Sequence, residues 1–381
     1  MPPGASFQLP DLPSLTASLA QPLRTNMHCR AASSASAAWL ASLDALSPVE
    51  HAMLEAARTG IRTALCAPAV DAPQLRVLMD VGALVFVGTR RAAAGEGDGD
   101  WEDVGEEGEG MEMLKRHRLL KHAITPTVER LAVRASSSWK TRFALSVARY
   151  RSAQREVEEA ATREPPAVDT YIEARRELDG TGLMLDLAEL LGAFKIPVLP
   201  PSGGALLEDL RRAAFDIVAW ATDIAAYQRT CCTRAAPANL IALLMRTRGL
   251  AVQGAMNAGG GMVRARVDDF RASAERLHAL LAPHPPASAA LPVLSWVFGG
   301  STKAGQGNAG LGEERVGERT KEDTLRYVRA LEDCVAGGVQ WLYETSLFFG
   351  AQGAEIRAFG WVFADEPVPA PTAAESVPGE V

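Results

Sequence analysis

Residues 206–234, LLEDLRRAAFDIVAWATDIAAYQRTCCTR, decide how the rest of the chain is read. Leu207, Leu210, Ala214, Ile217, Val218, Ala221 and Ile224 recur every three or four positions, which predicts a long amphipathic helix. The same spacing extends outward on both sides. It predicts helices over residues 37–46, 49–65, 74–87, 111–134, 138–162, 168–177 and 183–194, then over 239–248, 252–281 and 322–349. No strand alternation of convincing length interrupts the series. The composition agrees, being rich in Ala and Leu and holding only 6% aromatic residues, which favours helix over sheet.

The expected organisation is therefore one all-α domain over residues 31–365, a single helical bundle. An arm at 1–30 precedes it and a Pro/Ala/Glu-rich, disordered tail follows at 366–381. Two glycine-rich, charged excursions, at 88–110 and 299–317, lack any apolar face and read as solvated loops. A net charge of −7 offers no basic field for nucleic acid, and no apolar run approaches the roughly 20 residues of a membrane span. The start of the chain lacks a basic region followed by an apolar one. The five cysteines, among them the neighbours Cys231 and Cys232, show neither zinc spacing nor a disulfide framework. A soluble, cytoplasmic protein is expected, of undetermined oligomeric state.

Several stretches, in order, resemble fungal class I terpene synthases of the basidiomycete type. FQLPDL near the start, SSASAAWLASLDALSP, AVDAPQLRVLMDVGALVF, YIEARRELDGTGLMLDLAEL, NLIALLMRTRGLAVQGAMN and YVRALEDCVAGGVQWLYETSLFFGAQG carry the likeness across residues 7–365. The resemblance implies the class I terpenoid synthase fold. It also implies ionisation of a prenyl diphosphate, with farnesyl diphosphate as the expected substrate, in the presence of Mg²⁺. The family's second metal motif runs Asn-Asp-x-x-Ser-Tyr-x-Lys-Glu. Here the segment reads Thr222-Asp223-Ile224-Ala225-Ala226-Tyr227-Gln228-Arg229-Thr230, so Thr222, Ala226 and Thr230 replace the three ligands. The aspartate-rich motif falls at Thr89, Arg90 and about Ala93, and the C-terminal motif has Leu347 and Phe348 where Arg and Tyr belong.

What the likeness keeps is an arginine that senses diphosphate, placed at Arg176, 46 positions before Thr222. Magnesium takes hard oxygen ligands in near-octahedral geometry, and Asp223 is the one carboxylate left in the second motif. The family implies Mg²⁺, yet no ordinary three-ion cluster is expected to assemble. Two substitutes present themselves. Asp98, Asp100, Glu102 and Asp103 of the acidic loop are placed to fold over the mouth, at an ordering cost of about 1–2 kcal/mol per residue. Alternatively Arg90, Arg91, Arg176 and Arg229 grip phosphate oxygens directly. Phe86 and Trp341 are candidates for an aromatic wall that steadies a carbocation. The expected function is cyclisation of the prenyl diphosphate to a sesquiterpene at an atypical diphosphate site. The alternative is an inactive shell that binds an isoprenoid or a protein partner.

Overall fold

The computed structural model describes residues 6–19, 22–97, 99–102, 109–162, 166–231, 239–282 and 317–363. The expected tail at 366–381, nearly all of the loop at 299–317, Asp98, Asp103 and Cys232 lie outside them. The elements run β1 (Ser6–Gln8), α1 (Leu12–Thr16), α2 (Cys29–Ala41), α3 (Pro48–Ala57), α4 (Thr59–Cys66), α5 (Ala72–Ala94), α6 (Gly110–Lys115), α7 (Pro126–Arg134) and α8 (Ser137–Thr162). They continue with α9 (Val168–Leu178), α10 (Thr181–Leu190), α11 (Pro201–Thr230), α12 (Leu240–Arg248), α13 (Val252–Leu281), α14 (Glu318–Glu344), α15 (Ser346–Phe349), α16 (Gly353–Phe359) and β2 (Trp361–Phe363). The helices form one bundle, as the periodicity predicts.

Its centre is α11. The spacing predicts one apolar face, yet from Ala213 to Tyr227 every residue but Thr222 is buried. Neighbours on all sides cause this: α9, α12, α13, α14 and α15 all pack against it, and a helix enclosed in this way loses its solvent face. Small residues make the enclosure possible. Ala213, Ala214, Ala219, Ala221, Ala225 and Ala226 are buried along α11. Gly259 of α13 meets Ile224, and Gly338 of α14 meets Val218.

Several boundaries differ from the periodicity: the helix expected over 37–46 is α2, those expected over 111–134 and 322–349 are interrupted after Lys115 and Glu344, and three further differences bear on the site. The helix expected over 49–65 breaks at Arg58, the one described non-glycine residue at positive φ (46°), which re-aims α4. The break is held from across the bundle, where the Trp341 indole N–H donates to the freed Ala57 carbonyl at 2.7 Å. The helix expected to stop at Val87 continues to Ala94, because Thr-Arg-Arg-Ala-Ala-Ala carries on a helix well and ends only at Gly95, left-handed at φ 71°. Thr89, Arg90 and Ala93 therefore stand on α5, not in a loop. Finally, Ser6–Gln8 pairs antiparallel with Trp361–Phe363 in the register Phe7↔Val362, a short ribbon that three-residue segments cannot announce by alternation. It pins the arm beside α11, where Phe7 meets Tyr227 edge-on at 5.8 Å between ring centres.

Gly337 sits where α14 crosses α4, and a Cβ there would come within 2.8 Å of Leu65 Cβ and 2.9 Å of the Leu65 carbonyl carbon. In an open helix Gly→Ala stabilises by about 0.5–1 kcal/mol. Here backbone must yield, so Gly337→Ala is expected to destabilise by about 1–3 kcal/mol, read by denaturant or thermal unfolding.

Candidate functional site

A small polar pocket lies where α4, α5, α9, α11, the start of α12 and α14 converge. It is lined by Arg62, Arg90 and Arg175, by the aromatic rings of Phe86 and Trp341, and by Thr89, Asp179 and Asp223, with a volume of about 40 Å³. Thr222, Ala226 and Thr230 also face it, so the ligand positions of the two expected metal motifs do converge at one place.

Their groups are committed elsewhere. The Thr89 hydroxyl donates to the Leu178 carbonyl at 2.7 Å, Thr222 to the Val218 carbonyl at 2.8 Å, and Thr230 to the Ala226 carbonyl at 3.1 Å. Two of these bond one turn back along their own helix, as helical threonines do. Asp223 accepts from the Tyr171 hydroxyl at 2.5 Å, Arg175 Nε at 2.9 Å and the Leu240 backbone N–H at 3.0 Å. Its carboxylate oxygens are thus taken by three donors from α9 and α12. Burial lifts the Asp223 carboxyl above its ordinary value, with Arg175 and Tyr171 pulling against it. Asp179 is also buried, but Arg175 and Arg62 more than offset the desolvation and hold its carboxyl below the usual range. Among the described residues, no group of three His, Cys, Asp or Glu side chains is placed to hold a metal ion. Threonines bonded to backbone, an alanine and a saturated aspartate do not fit the oxygen cage that Mg²⁺ requires.

The acidic loop does not supply the missing ligands where it is described. Asp100 pairs with Arg91 Nη1 at 3.0 Å, and Arg91 is further clamped by Glu50 at 2.6 Å. Glu102 approaches Lys121 at 3.9 Å. Between them Trp101 docks edge-on against buried His117, 4.6 Å between ring centres, and its indole N–H donates to Gln154 at 2.8 Å. Burial and the nearby Arg91 push His117 down to about 3, so the imidazole stays neutral.

Of the arginines singled out in the sequence, Arg90 lines the pocket and Arg176 and Arg229 do not. Arg176 lies outside this pocket. Its guanidinium is held by Asp216, at 2.7 and 3.2 Å, in a network completed by Arg266. One step along α9 turns a side chain by about 100°, and the preceding Arg175 is the one that faces the pocket, 4% exposed and bonded to both Asp179 and Asp223. Arg91, also named, is turned to Glu50 and Asp100. Arg229 is half-buried and near enough to Arg90 to repel it.

Sequence reasoning missed Arg62. It lies on α4 in no recognisable motif, with its guanidinium carbon 5.2 Å from the Trp341 ring centre and Nη2 3.5 Å from Asp179. Arg90 covers Phe86 in the same way, at 5.3 Å, and makes no hydrogen bond or ion pair among the described residues. Phe86 and Trp341 stand edge-to-face 6.1 Å apart, so both expected aromatic walls are present, each capped by a cation. Beyond the pocket lies an apolar hollow of about 80 Å³, whose lining includes Leu78, Val85, Met184, Leu185, Phe194 and Val218. Arg62 and Asp179 line both spaces, and their ion pair is the partition between them.

The family model described as terpene synthase family 2, C-terminal metal binding, matches residues 91–269. Sesquiterpene synthase 3 of Postia placenta is 26% identical over 375 residues, covering 93% of this chain and 88% of the relative. Sesquiterpene synthase Agr1 of Cyclocybe aegerita is 22% identical, over 91% and 90%. Among solved structures, that of an a-eudesmol synthase superposes with a TM-score of 0.62 at 20% identity, over 84% of this chain and 96% of that one. Germacradien-4-ol synthase from Streptomyces citricolor gives 0.59 at 17%, over 86% and 98%. At these identities the solved structures speak to the fold, which is the all-α terpenoid synthase bundle.

The two pocket arginines with opposite surroundings make a test. Arg175→Met strands two buried carboxylates and is expected to destabilise by about 3–5 kcal/mol. Arg90→Gln removes a charge without an ion-pair partner and is expected to leave stability unchanged or slightly higher, the difference being read from paired unfolding curves.

Proposed function

We propose, from the premise that the chain belongs to the fungal class I terpene synthase family, that it acts on a prenyl diphosphate and yields a sesquiterpene. Farnesyl diphosphate is the substrate of this reading. The diphosphate is taken by the arginine-lined pocket and the hydrocarbon by the apolar hollow. The observation that carries it is the adjacency of these two spaces, joined through Arg62 and Asp179. An amphiphile with an anionic head and an apolar tail fits that polarity, and its ester bond would fall at the partition. The relatives' printed names, both sesquiterpene synthases, support the same product class.

The chain's own residues supply two things to such a reaction. Arg62 and Arg90 present fork-shaped donors to phosphate oxygens, with Arg175 a fixed positive charge beside them. The rings of Phe86 and Trp341 offer faces to a developing carbocation, provided their guanidinium caps have moved to the leaving group. Catalysis requires these contacts to strengthen as the C–O bond breaks, since equal grip on substrate and transition state leaves kcat unchanged. Pockets for ligands of this size generally hold about 300–1,000 Å³. A hollow of about 80 Å³ must therefore enlarge on binding.

The second reading is an inactive shell that binds an isoprenoid or a protein partner. It is favoured by one observation, that the ligand positions of both metal motifs are filled by groups bonded elsewhere. Incubation with farnesyl diphosphate and Mg²⁺, followed by gas chromatography of the extract, separates them. Sesquiterpene hydrocarbons or alcohols are expected, with Arg176→Gln retaining product formation within a few-fold. An empty extract at high protein loading supports the shell.

A further inference from the structure

The family implies magnesium and the residues present do not fit it, while the same pocket holds more positive charge than its carboxylates neutralise. Three guanidinium groups and two carboxylates line it, and Arg175 lies bonded between those two carboxylates. Arg62 reaches Asp179 only at 3.5 Å, and the Asp179 Oδ2 atom it approaches is buried without a hydrogen bond among the described residues. Arg90 makes no hydrogen bond or ion pair among the described residues; it is half-buried over the face of Phe86 and feels Asp179 and Asp223 only at longer range. A cation taken partly out of water without a counter-charge is costly, and the cost is relieved by an anion that arrives later.

We infer that this pocket is a metal-independent diphosphate site, in which Arg90 and Arg62 bind the two phosphoryl groups and Arg175 forms the fixed wall behind them. The inference rests on reading the pocket as the head-group end of the substrate site, and it deepens that reading by replacing the divalent cation with guanidinium charge.

Each arginine has a distinct part. Arg175 is immobilised by Asp179, Asp223 and the Ala219 carbonyl, and it turns a fixed positive wall to the ligand. Arg90 remains free to commit its donors. Burial and repulsion from Arg175 push it down to about 10, which leaves it charged at neutral pH. Arg62 exchanges its long contact with Asp179 for a phosphate oxygen, and in moving it uncovers Trp341 and opens the partition toward the apolar hollow. Ligand binding and opening are then one event, driven by the difference in affinity of the anion for the two positions of Arg62.

Titration calorimetry of the full chain with sodium pyrophosphate, in buffer containing EDTA, tests the inference, with sodium sulfate at matched ionic strength as the control anion. Saturable one-to-one binding of pyrophosphate, without added Mg²⁺ and much tighter than sulfate, is expected. Arg90→Gln and Arg62→Gln should each weaken it by roughly ten- to a hundredfold, whereas Arg130→Gln, on an exposed face of α7, should leave it unchanged. Thermal melts of each variant establish that it is folded. Binding that appears only when Mg²⁺ is restored, or that survives both substitutions, overturns the inference. Product formation from farnesyl diphosphate is scored separately. Metal-free pyrophosphate binding without any product upholds the arginine site and removes the enzymatic reading. Product without metal-free binding upholds the enzyme and removes the arginine site.

Discussion

A guanidinium buried between two carboxylates sets the terms for everything around it. Arg175 bonds Asp179 on its own helix and Asp223 on α11, and Asp223 in turn accepts from Tyr171 and from the first backbone N–H of α12. Asn239 closes the knot, its side-chain amide donating to the Asp223 carbonyl while its oxygen caps α12. Buried ion pairs of this kind add little net stability over an apolar replacement, because desolvation cancels most of the attraction. Their effect is geometric. Through these bonds α9, α11 and the start of α12 are held in one mutual register. The consequence is that the single carboxylate surviving in the second metal motif serves as a structural acceptor.

From that follows the unusual electrostatics of the mouth. Once Asp223 and Asp179 are matched mainly by Arg175, the charges of Arg62 and Arg90 are left facing aromatic rings. A cation over a ring gains about 0.5–2 kcal/mol, enough to park a guanidinium but less than a charge-assisted pair with a phosphate oxygen in a partly desolvated site. The parked state is therefore the one displaced when an anion enters. The same rings would be the faces presented to a carbocation, so the resting pocket hides from solvent the surface that the chemistry of the family uses.

The bundle was legible because burial against helical neighbours leaves a periodic trace, and the trace in α11 survives even though the helix turned out to be enclosed on all sides. Positions 89, 90, 93, 222, 226 and 230 were legible too, since counting along two helices places them and the structure brings them to one pocket. Arg176 was expected at the site, and the structure turns it to Asp216 while Arg175 lines the pocket. A motif with adjacent arginines carries no information about which faces inward, and only the packing of α9 against α11 decides that. Arg62 left no signal, because its importance comes from the left-handed break at Arg58 and from Trp341, nearly 280 residues away in the chain. The helix end at Ala94 was misjudged for a local reason. Composition over 88–110 averages a good helical tail with a glycine-rich segment, and the boundary lies at Gly95.

The substitutions at the two motifs are coupled by charge. An arginine at position 90 beside a cluster of divalent cations would be repelled by them, and carboxylates at 89, 222 or 230 in the present pocket would compete with a diphosphate for the guanidinium groups. Either arrangement is self-consistent, whereas a mixture pairs cation with cation or draws the arginines into internal salt bridges. Thr89, Thr222 and Thr230 meet the second condition, being neutral and bonded to backbone carbonyls. Ala226 meets it by offering no polar group at all. With neutral groups at these positions, the three guanidinium groups of the pocket face no added carboxylate, which is the arrangement that the arginine-site inference requires.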